Sequence, residues 1–488
     1  FGKNMMSKTS MPIAPTEKNY ETFLNELRQV VGEDAVLTQS NISETYTHDW
    51  ARDEVGRCLA VVRPSTTQEV SEICILCNGT GITIIPQGGH TGLVGGALQQ
   101  RELGCIILTT QLMSRIEDID PDNMTCIVQA GVVLERLQTE LDIKHLYFGV
   151  SIGSQGSANI GGLISTNAGG VRVLRYGMME AQVLGLEVVM ADGSIQSSMD
   201  GLQKDNRGPD PLRLMIGAEG SLGIITRACL RILPRECYSA TAWVGCASFE
   251  AALDILRLIR KKGYEALAAF EVMSDSCMPF AALVRDQYRA PLDAPVHILI
   301  EFSSAMDLSL DHHLETLLAE VLNSDLASDV IIAQSKAHGK LFWAIREGLV
   351  EGHAKRGFHV RSDVSVKLSL IPEAASQLET MLAKEFPGWI PQTYGHLGDG
   401  NLHFNAIPPD TFSDDEARRI ASSIENRIFK IINELSGSFS AEHGIGRKKI
   451  GWFQQSLPER HETLAKIKSV LDPNNTLNPG CLIDNIEK

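Results

Sequence analysis

Three glycine-rich segments in the first half of the chain constrain its fold more strongly than any other feature of the sequence. The segments, here called the first, second and third glycine belts, span residues 86–97, 149–170 and 216–226. Glycine permits positive φ angles and close backbone approach to a ligand, so successive amides form a concave site for an anion. Any one belt is equally compatible with surface turns. Three belts together predict a bound anionic group, and the lack of a G-x-G-x-x-G spacing disfavours a nicotinamide dinucleotide held in the Rossmann mode.

Strands and helices separate the belts. Residues 58–62 and 82–85 are predicted strands, and Thr66 with Glu69 forms a capping-box pattern that begins a helix between them. The Cys-x-x-Cys pair at 74–77 lies on the apolar side of this helix, so we interpret it as buried core rather than as a redox or metal site. A strand, a crossover helix and a second strand are typical of an α/β layer.

The pattern changes near Pro234. Strands at 104–109 and 124–130 and a helix at 134–141 are predicted before it. Longer helices at 249–261 and 308–322 and a strand at 296–302 are predicted after it. We therefore predict an α+β chain divided into 1–20 (tag or leader), 21–235 (cofactor binding), 236–455 (substrate binding) and 456–488 (a C-terminal segment).

Composition narrows the classes of partner. Forty-four Lys and Arg against 60 Asp and Glu give a net charge of -16, which disfavours nucleic acid. An anionic substrate must then meet a few local cations. No apolar run is long enough for a membrane span, no secretory signal is apparent, and ten scattered cysteines suit a reducing compartment, so a cytoplasmic protein is expected.

The segment HLGDGNLHFN at 396–405 has the pattern of a tight turn followed by a strand. Alternation along the strand places His403 and Asn405 on one face and Phe404 on the other. A bend at 399–400 can return His396 to the neighbourhood of His403. Two imidazoles at a turn suit Zn, Mn, Fe or Co once a carboxylate joins them, although an isolated pair of this spacing is more often structural.

The candidate carboxylate is Glu442, followed directly by His443. These residues lie between a predicted strand at 437–441 and a basic, glycine-rich segment, where adjacent side chains can diverge. Trp343, Arg346 and Arg361 supply aromatic and cationic groups for an anionic substrate. A guanidinium matches a carboxylate with two parallel donors, although an arbitrary arginine is usually a solvated surface charge.

The belts, with NPG at 478–480, resemble the flavin-binding domain of the vanillyl-alcohol-oxidase superfamily. From about Leu59 to Gly480 the chain is similar to the D-lactate and D-2-hydroxyglutarate dehydrogenase branch. The resemblance implies a PCMH-type FAD-binding domain of two α/β subdomains, a substrate or cap domain with an antiparallel sheet, and a C-terminal segment that returns to the FAD domain. The FAD contacts that it implies are Pro86, Gly88, Gly89, His90, Thr91, Gly92, Ser151, Gly153, Ser154, Gly156, Ser157, Gly161, Asn167, Gly169, Gly217, Glu219, Gly220, Gly223, Ile225 and Asn478.

The same resemblance implies roles in catalysis. His396, His403 and Glu442 correspond to the ligands of a divalent metal, most simply zinc, and His443 corresponds to the catalytic base. A divalent cation lowers the pKa of an oxygen that it binds, so a neutral histidine can take the hydroxyl proton while hydride passes to flavin N5. The expected substrate ligands are Trp343, Arg346, Arg361 and Asn405, with Arg346 and Arg361 placed for a distal carboxylate.

Four positions depart from the family pattern. His90 follows the paired glycines where Asn, Gly or Thr is usual. It is expected to bond a phosphate or the loop, or else to form an 8α-histidyl link to the flavin. Arg361 replaces a lysine, Val350 a threonine and Lys367 a proline. These changes weaken the assignment of a dicarboxylate substrate without removing it.

The resemblance predicts oxidation of D-2-hydroxyglutarate, with D-lactate and D-malate as alternatives. A covalent-flavin sugar or polyol oxidase is suggested by His90 alone, and a redox protein with an inactive site is a third reading. The electron acceptor is expected to be an electron-transfer flavoprotein or a quinone. A homodimer is expected because dimers are the commonest soluble assemblies.

Overall fold

The computed structural model describes residues 17–49, 55–98 and 104–484. The predicted tag or leader at 1–20 therefore lies almost entirely outside the described residues. In the described part of the first 235 positions the helices are α1 (Glu17–Val31), α2 (Glu44–Thr47), α3 (Thr67–Thr80), α4 (Leu134–Ile143), α5 (Ile160–Ser165) and α6 (Val173–Tyr176). The strands are β1 (Val36–Thr38), β2 (Ala60–Val62), β3 (Thr83–Gln87), β4 (Cys105–Thr109), β5 (Ile116–Asp120), β6 (Thr125–Gln129), β7 (Leu146–Tyr147), β8 (Val183–Val189), β9 (Ile195–Ser197), β10 (Ile224–Arg231) and β11 (Leu233–Pro234).

The first sheet has the order β1-β2-β4-β3, with β2 and β3 both parallel to β4 and joined to each other through α3. The Thr66 side chain accepts the Glu69 amide and begins α3, and Gly81 ends it in the left-handed conformation. Cys74 and Cys77 are buried in the core of this layer. The predicted crossover unit and the core interpretation of the Cys-x-x-Cys pair are thus confirmed, and β3 leads directly into the first glycine belt.

The second sheet has the order β5-β6-β10-β8-β9 and is antiparallel throughout. Its core includes Val128, Leu137, Ile164 and Leu186, which come from two strands and from α4 and α5. The second belt contains α5, and the third belt ends at the start of β10. All three belts are therefore next to the sheets of this first half in the chain.

A seven-stranded antiparallel sheet organises the second half, with the order β15-β12-β14-β13-β17-β18-β16. Its strands are β12 (Tyr238–Cys246), β13 (Leu267–Ser274), β14 (Val296–Ser304), β15 (Asp329–Ile332), β16 (Val360–Ser365), β17 (Ile390–Gly395) and β18 (Asn401–Ile407). The helices are α7 (Phe249–Gly263), α8 (Met278–Ala282), α9 (Leu310–Asn323), α10 (Lys336–Arg356), α11 (Ile371–Glu385), α12 (Asp414–Glu434), α13 (Ile450–Ser456) and α14 (Pro458–Leu471).

One face of this sheet is buried by α7, α9, α11 and α12, as shown by Phe270, Ile300 and Phe404 in one core with Leu256 and Leu378. On the other face α10 covers the central strands through Phe342, Ile345 and Leu349. Polar side chains of β16, β17 and β18 lie on this same face beside α10. The face of β16, β17 and β18 beside α10 is therefore the surface of the sheet on which a site can form.

The C-terminal segment contacts the first domain. Leu477 forms a β-bridge with Ile84, and the Asn478 amide donates to the Ile84 carbonyl over 2.8 Å. The buried Lys468 ammonium donates to the Ser221 carbonyl over 2.7 Å. None of the helices in the described ranges combines the length and the apolar composition needed to cross a bilayer.

The strand predicted at 437–441 is wrong. The structure has a single bridge there, between Ser438 and Ser365. Beyond it the backbone amides of 441–443 donate to the side chain of Asp363 instead of to a neighbouring strand. The Asp363 carboxylate therefore replaces the backbone hydrogen bonds between strands that the residue pattern predicts.

Candidate active site

Two rows of side chains cross the three strands β17, β18 and β16. In register, Tyr394 lies opposite His403 and His403 opposite Asp363. The next row consists of Gln392, Asn405 and Arg361. Phe404, between the two rows on β18, is buried in the core on the opposite face. The predicted alternation is confirmed, and the pleat places the polar groups on one surface.

The three predicted metal ligands meet at one end of these rows. The turn after β17 returns His396 so that its Nε2 lies 3.4 Å from His403 Nε2 and 3.8 Å from Glu442 Oε1. Two donors held about 2.1 Å from a tetrahedral zinc ion lie about 3.4 Å apart, so these separations match a shared ion. The donor set of two imidazoles and one carboxylate suits zinc, manganese, iron or cobalt. The residues present therefore fit a divalent metal.

A buried carboxylate that sequence reasoning missed orients the first of these imidazoles. Glu271, on β13, accepts from His396 Nδ1 over 2.8 Å and forms an ion pair with Arg346 over 2.9 Å. This bond directs His396 Nε2 toward the other ligands. Burial lowers the pKa of His396, but the Glu271 carboxylate opposes it and raises the pKa to about 9. The signal in the sequence was a glutamate inside the otherwise apolar strand LAAFEVMS.

A second missed carboxylate fixes the other end of the site. Asp363 Oδ2 accepts the amides of Ala441, Glu442 and His443 over 3.1, 2.8 and 2.9 Å. Asp363 Oδ1 accepts from the side chain of Asn401. Burial opposes ionisation of Asp363, but the charges of His443 and of nearby cations hold its pKa well below its usual range. This carboxylate therefore sets the position of both functional residues of the 442–443 pair.

His443 lies beside the metal-ligand group and lines a cavity. Its ring is nearly parallel to that of His403, with centroids 6.4 Å apart, and its Nδ1 is 3.7 Å from Asp363. The cavity has a volume of about 100 Å³. It is lined by Leu93, Val350, His353, Ala354, His359, Arg361, Ser362, Tyr394, His403, Asn405 and His443. Because Leu93 belongs to the first glycine belt, the cavity lies between the two halves of the chain.

The expected substrate residues divide into two groups. Arg361 and Asn405 line the cavity, as does Val350. Arg346 and Trp343 do not, which differs from expectation: Arg346 is buried against Glu271, and Trp343 Nε1 donates to Glu301. Through Glu271, Arg346 therefore supports the metal-ligand candidate His396. Sequence reasoning could not place Arg346 and Trp343 away from the cavity, because their partners Glu271 and Glu301 lie on distant strands.

Lys367, the fourth departure from the family pattern, is exposed. Its exposure favours a solvated surface charge over a charge that contributes to the cavity.

The second glycine belt touches the site directly. The Gly170 amide donates to Glu442 Oε1 over 2.6 Å. Gly170 has a φ of +112°, and a Cβ there would lie 2.1 Å from the Ser151 carbonyl oxygen. A side chain at this position would thus break the contact between the belt and the carboxylate.

Close packing of the belts on one another explains several of their glycines. A Cβ on Gly89 would lie 1.9 Å from the Ser157 carbonyl oxygen, and one on Gly220 would lie 2.9 Å from Pro86. By contrast, Cβ atoms on Gly92, Gly153 and Gly162 would meet no atom of residues 17–49, 55–98 or 104–484 within 4 Å. Packing within the protein does not account for glycine at this second group, as expected for a backbone that faces a bound cofactor.

Some implied FAD contacts are occupied by protein partners. The Glu219 carboxylate is buried and accepts the amides of Ile445 and Gly446, so its side chain joins the third belt to the segment after His443. Ile225 has its side chain in the core of the second sheet, which leaves only its backbone for a ligand. The predicted contacts of Glu219 and Ile225 with FAD would therefore involve their backbone atoms.

Two further implied FAD contacts have polar atoms at the belts. Asn478 donates to the carbonyls of Gly96 and Glu219, so it connects two belts. His90 Nδ1 contacts the Thr45 carbonyl over 2.9 Å, and its buried Nε2 has no hydrogen-bond partner among the described residues. An unpartnered buried nitrogen at the first belt is consistent with a polar ligand there.

Comparisons with known proteins match two segments of the chain to known families. Residues 58–198 match the family described as FAD binding domain, and residues 236–482 match FAD linked oxidases, C-terminal domain. The chain is 35% identical over 456 residues to a mitochondrial D-2-hydroxyglutarate dehydrogenase of Danio rerio, covering 92% of this chain and 83% of the relative. A D-2-hydroxyglutarate dehydrogenase of Stutzerimonas stutzeri is 31% identical, covering 94% of this chain and 98% of the relative.

Solved structures with low sequence identity share the fold. Substrate-bound p-cresol methylhydroxylase aligns with a TM-score of 0.77 at 16% identity, covering 97% of this chain and 98% of that one. Alkyldihydroxyacetonephosphate synthase aligns with a TM-score of 0.72 at 17% identity, covering 97% and 87%. The expected α+β, PCMH-type flavoprotein fold is confirmed.

Proposed function

Because this chain belongs to the family of FAD-linked oxidoreductases that includes the D-2-hydroxyglutarate dehydrogenases, we propose that it oxidises a D-2-hydroxy acid to the 2-oxo acid, with D-2-hydroxyglutarate as the leading substrate. One observation carries the proposal. His396, His403 and Glu442 converge beside His443 at a cavity that also contains Arg361.

The three belts would hold FAD, and the His396, His403 and Glu442 group would hold a divalent metal. When bound, FAD supplies a hydride acceptor and the metal supplies positive charge beside the substrate hydroxyl. We propose zinc first, with manganese, iron and cobalt as alternatives. We also propose that FAD is held without a covalent bond, so that acid precipitation leaves the yellow colour in the supernatant; colour in the pellet would assign a link at His90.

The residues of the chain would divide the remaining work. His443 takes the hydroxyl proton, since it lines the cavity beside the ligand group. Asp363 holds His443 through its backbone amide and lies 3.7 Å from its ring. Arg361 and Asn405, opposite each other on β16 and β18, bind the carboxylate at the far end of the substrate.

A panel of D- and L-2-hydroxy acids tests this proposal under anaerobic conditions. We expect D-2-hydroxyglutarate to bleach the visible flavin absorbance fastest, with D-lactate and D-malate slower and the L-enantiomers inactive. Bleaching by a sugar or polyol alone would contradict the proposal and favour a sugar oxidase. The convergence of His396, His403 and Glu442 favours a hydroxy acid as the substrate, because a covalent-flavin sugar oxidase does not require such a metal-ligand group.

We further propose that an electron-transfer flavoprotein or a quinone reoxidises the flavin and that the protein is a homodimer. Reoxidation rates with each acceptor, and the mass in solution from light scattering, test these two points.

A further inference from the structure

The distal end of the cavity contains a hydrogen-bonded chain that the reaction itself does not require. Arg361 Nε donates to His359 Nε2 over 3.1 Å, and His359 Nδ1 contacts the Gly357 carbonyl over 2.9 Å. A guanidinium only donates and a carbonyl only accepts, so His359 carries its proton on Nδ1 and is neutral. The imidazole, which is 5% exposed, therefore bridges Arg361 to the backbone.

The end of α10 builds the other side of this bridge. Gly357 follows the helix with a φ of +113°, a conformation that favours glycine. The turn directs its carbonyl toward His359, two residues later. The position of Arg361 is thus fixed through His359 to the backbone after α10.

Such a bridge prepares Arg361 for a carboxylate. An arginine side chain loses rotamer freedom when it is held in one geometry. The hydrogen bond to His359 uses Nε and does not involve the two Nη groups. A guanidinium matches a carboxylate with two parallel N–H donors. If Arg361 is already ordered before substrate binds, the free energy of binding is not reduced by the entropic cost of ordering this side chain.

We propose that His359 is a positioning residue that holds Arg361 at the distal end of the cavity and thereby sets the preference for a substrate with a second carboxylate. This inference rests on the proposed oxidation of a D-2-hydroxy acid at the same site.

The rest of the distal lining supports a role for Arg361 in particular. Among the cavity-lining residues described here it is the one arginine or lysine. His353, beside it, has one ring nitrogen against Gln392 and the other against Asn405. Burial lowers the pKa of His353 to about 4, so it adds no positive charge near neutral pH. A distal carboxylate would therefore depend on Arg361.

Steady-state kinetics of variants at His359 test this with D-2-hydroxyglutarate and with D-lactate, which lacks the distal carboxylate. His359→Leu removes the acceptor. His359→Asn retains a donor for Gly357 but is too short to reach Arg361. His359→Gln places an oxygen near the position of Nε2. His312→Gln, at an exposed histidine on α9, is the control, and flavin content and melting temperature are measured for each variant.

We expect His359→Leu and His359→Asn to raise KM for D-2-hydroxyglutarate about tenfold, with kcat/KM for D-lactate within about twofold of wild type. His359→Gln should restore most of the loss. In the background of Arg361→Leu, the change His359→Leu should have no further effect, because the residue acts through Arg361.

Three results would overturn the inference: equal losses for both acids, an unchanged KM for the diacid in both short variants, or additive effects in the double variant. Each is distinguishable from failure of the proposed function, in which the wild-type flavin is reduced by neither acid.

Discussion

Asp363 connects the two chemical elements of the site. Its side chain is buried, and it accepts the amides of three successive residues that include Glu442 and His443. Its neighbour across the sheet is His403. The Asp363 carboxylate thus fixes Glu442 and His443 relative to β18, the strand that carries His403.

Replacing His443 with alanine tests the base. General-base catalysis contributes about 10²- to 10⁴-fold, so His443→Ala should lower kcat by that factor while FAD content stays at the wild-type level. Rapid-reaction measurement of flavin reduction, with His312→Ala as the surface control, reports the effect. A rate within a few-fold of wild type would remove His443 from the mechanism.

His353 makes stability depend on pH. Its folded pKa of about 4 lies below the ordinary value of 6.5 because the ring is buried and lies near the positive charge of Arg361. A histidine whose folded pKa is lowered stabilises the fold above about pH 6.5, and this contribution falls as the pH drops toward 4. The loss amounts to roughly 3 kcal/mol. The melting temperature of wild type should therefore fall more steeply from pH 7 to pH 5 than that of His353→Gln; parallel curves would contradict the assignment.

At the residue scale, the metal-ligand candidates and the base could be proposed from the sequence because their motifs are local. The residues that orient them could not. Glu271 lies 125 positions from His396, and Asp363 lies 80 positions from His443. Only pairing of strands brings such residues together, and a single sequence does not give that pairing.

The register of four strands turns these residues into a site. β17 and β18 form the hairpin that returns His396 to His403, and β13 beside β17 carries Glu271. The pattern of alternating side chains on β18 was predictable because a strand has a period of two. The strand predicted at 437–441 was not predictable in this way. The amides of 441–443 donate to Asp363, a residue that is distant in sequence.

Replacing Glu271 with glutamine tests the support of the metal ligands. Loss of a carboxylate bonded to a ligating histidine typically weakens metal affinity by about 10- to 100-fold. We expect that range for Glu271→Gln in competition with a chelator of known affinity. Glu351→Gln, at an exposed position on α10, should bind the metal as wild type does. Equal affinities for both variants would show that Glu271 does not act on the metal.

The whole molecule brings the belts to the site by contacts between its halves. Gly170 donates to Glu442, Glu219 accepts amides that follow His443, and Asn478 donates to carbonyls of two belts. The division near Pro234 and the return of the C-terminal segment were predictable from changes in pattern and from family resemblance. The partners of Glu219 were not, because they lie more than 200 residues away.

Asn478 offers a test of this arrangement. Its φ of +43° suits glycine, so Asn478→Gly removes the side chain without straining the backbone. The Glu219 carbonyl would lose the Asn478 donor and Arg447 Nη2 would lose the Asn478 acceptor. These losses should cost about 1–3 kcal/mol and speed the loss of FAD during gel filtration. Asn475→Gly, with a φ of +52°, is the matched control. Identical FAD retention in the two variants would contradict a role for Asn478 in joining the belts.

The most direct test of the site is anaerobic flavin reduction by D-2-hydroxyglutarate before and after removal of metal with a chelator. We predict that the stripped protein keeps its FAD, loses most of its rate of flavin reduction, and recovers it on addition of zinc, manganese or cobalt. Flavin reduction at the full rate in protein shown by elemental analysis to be free of metal would contradict the account.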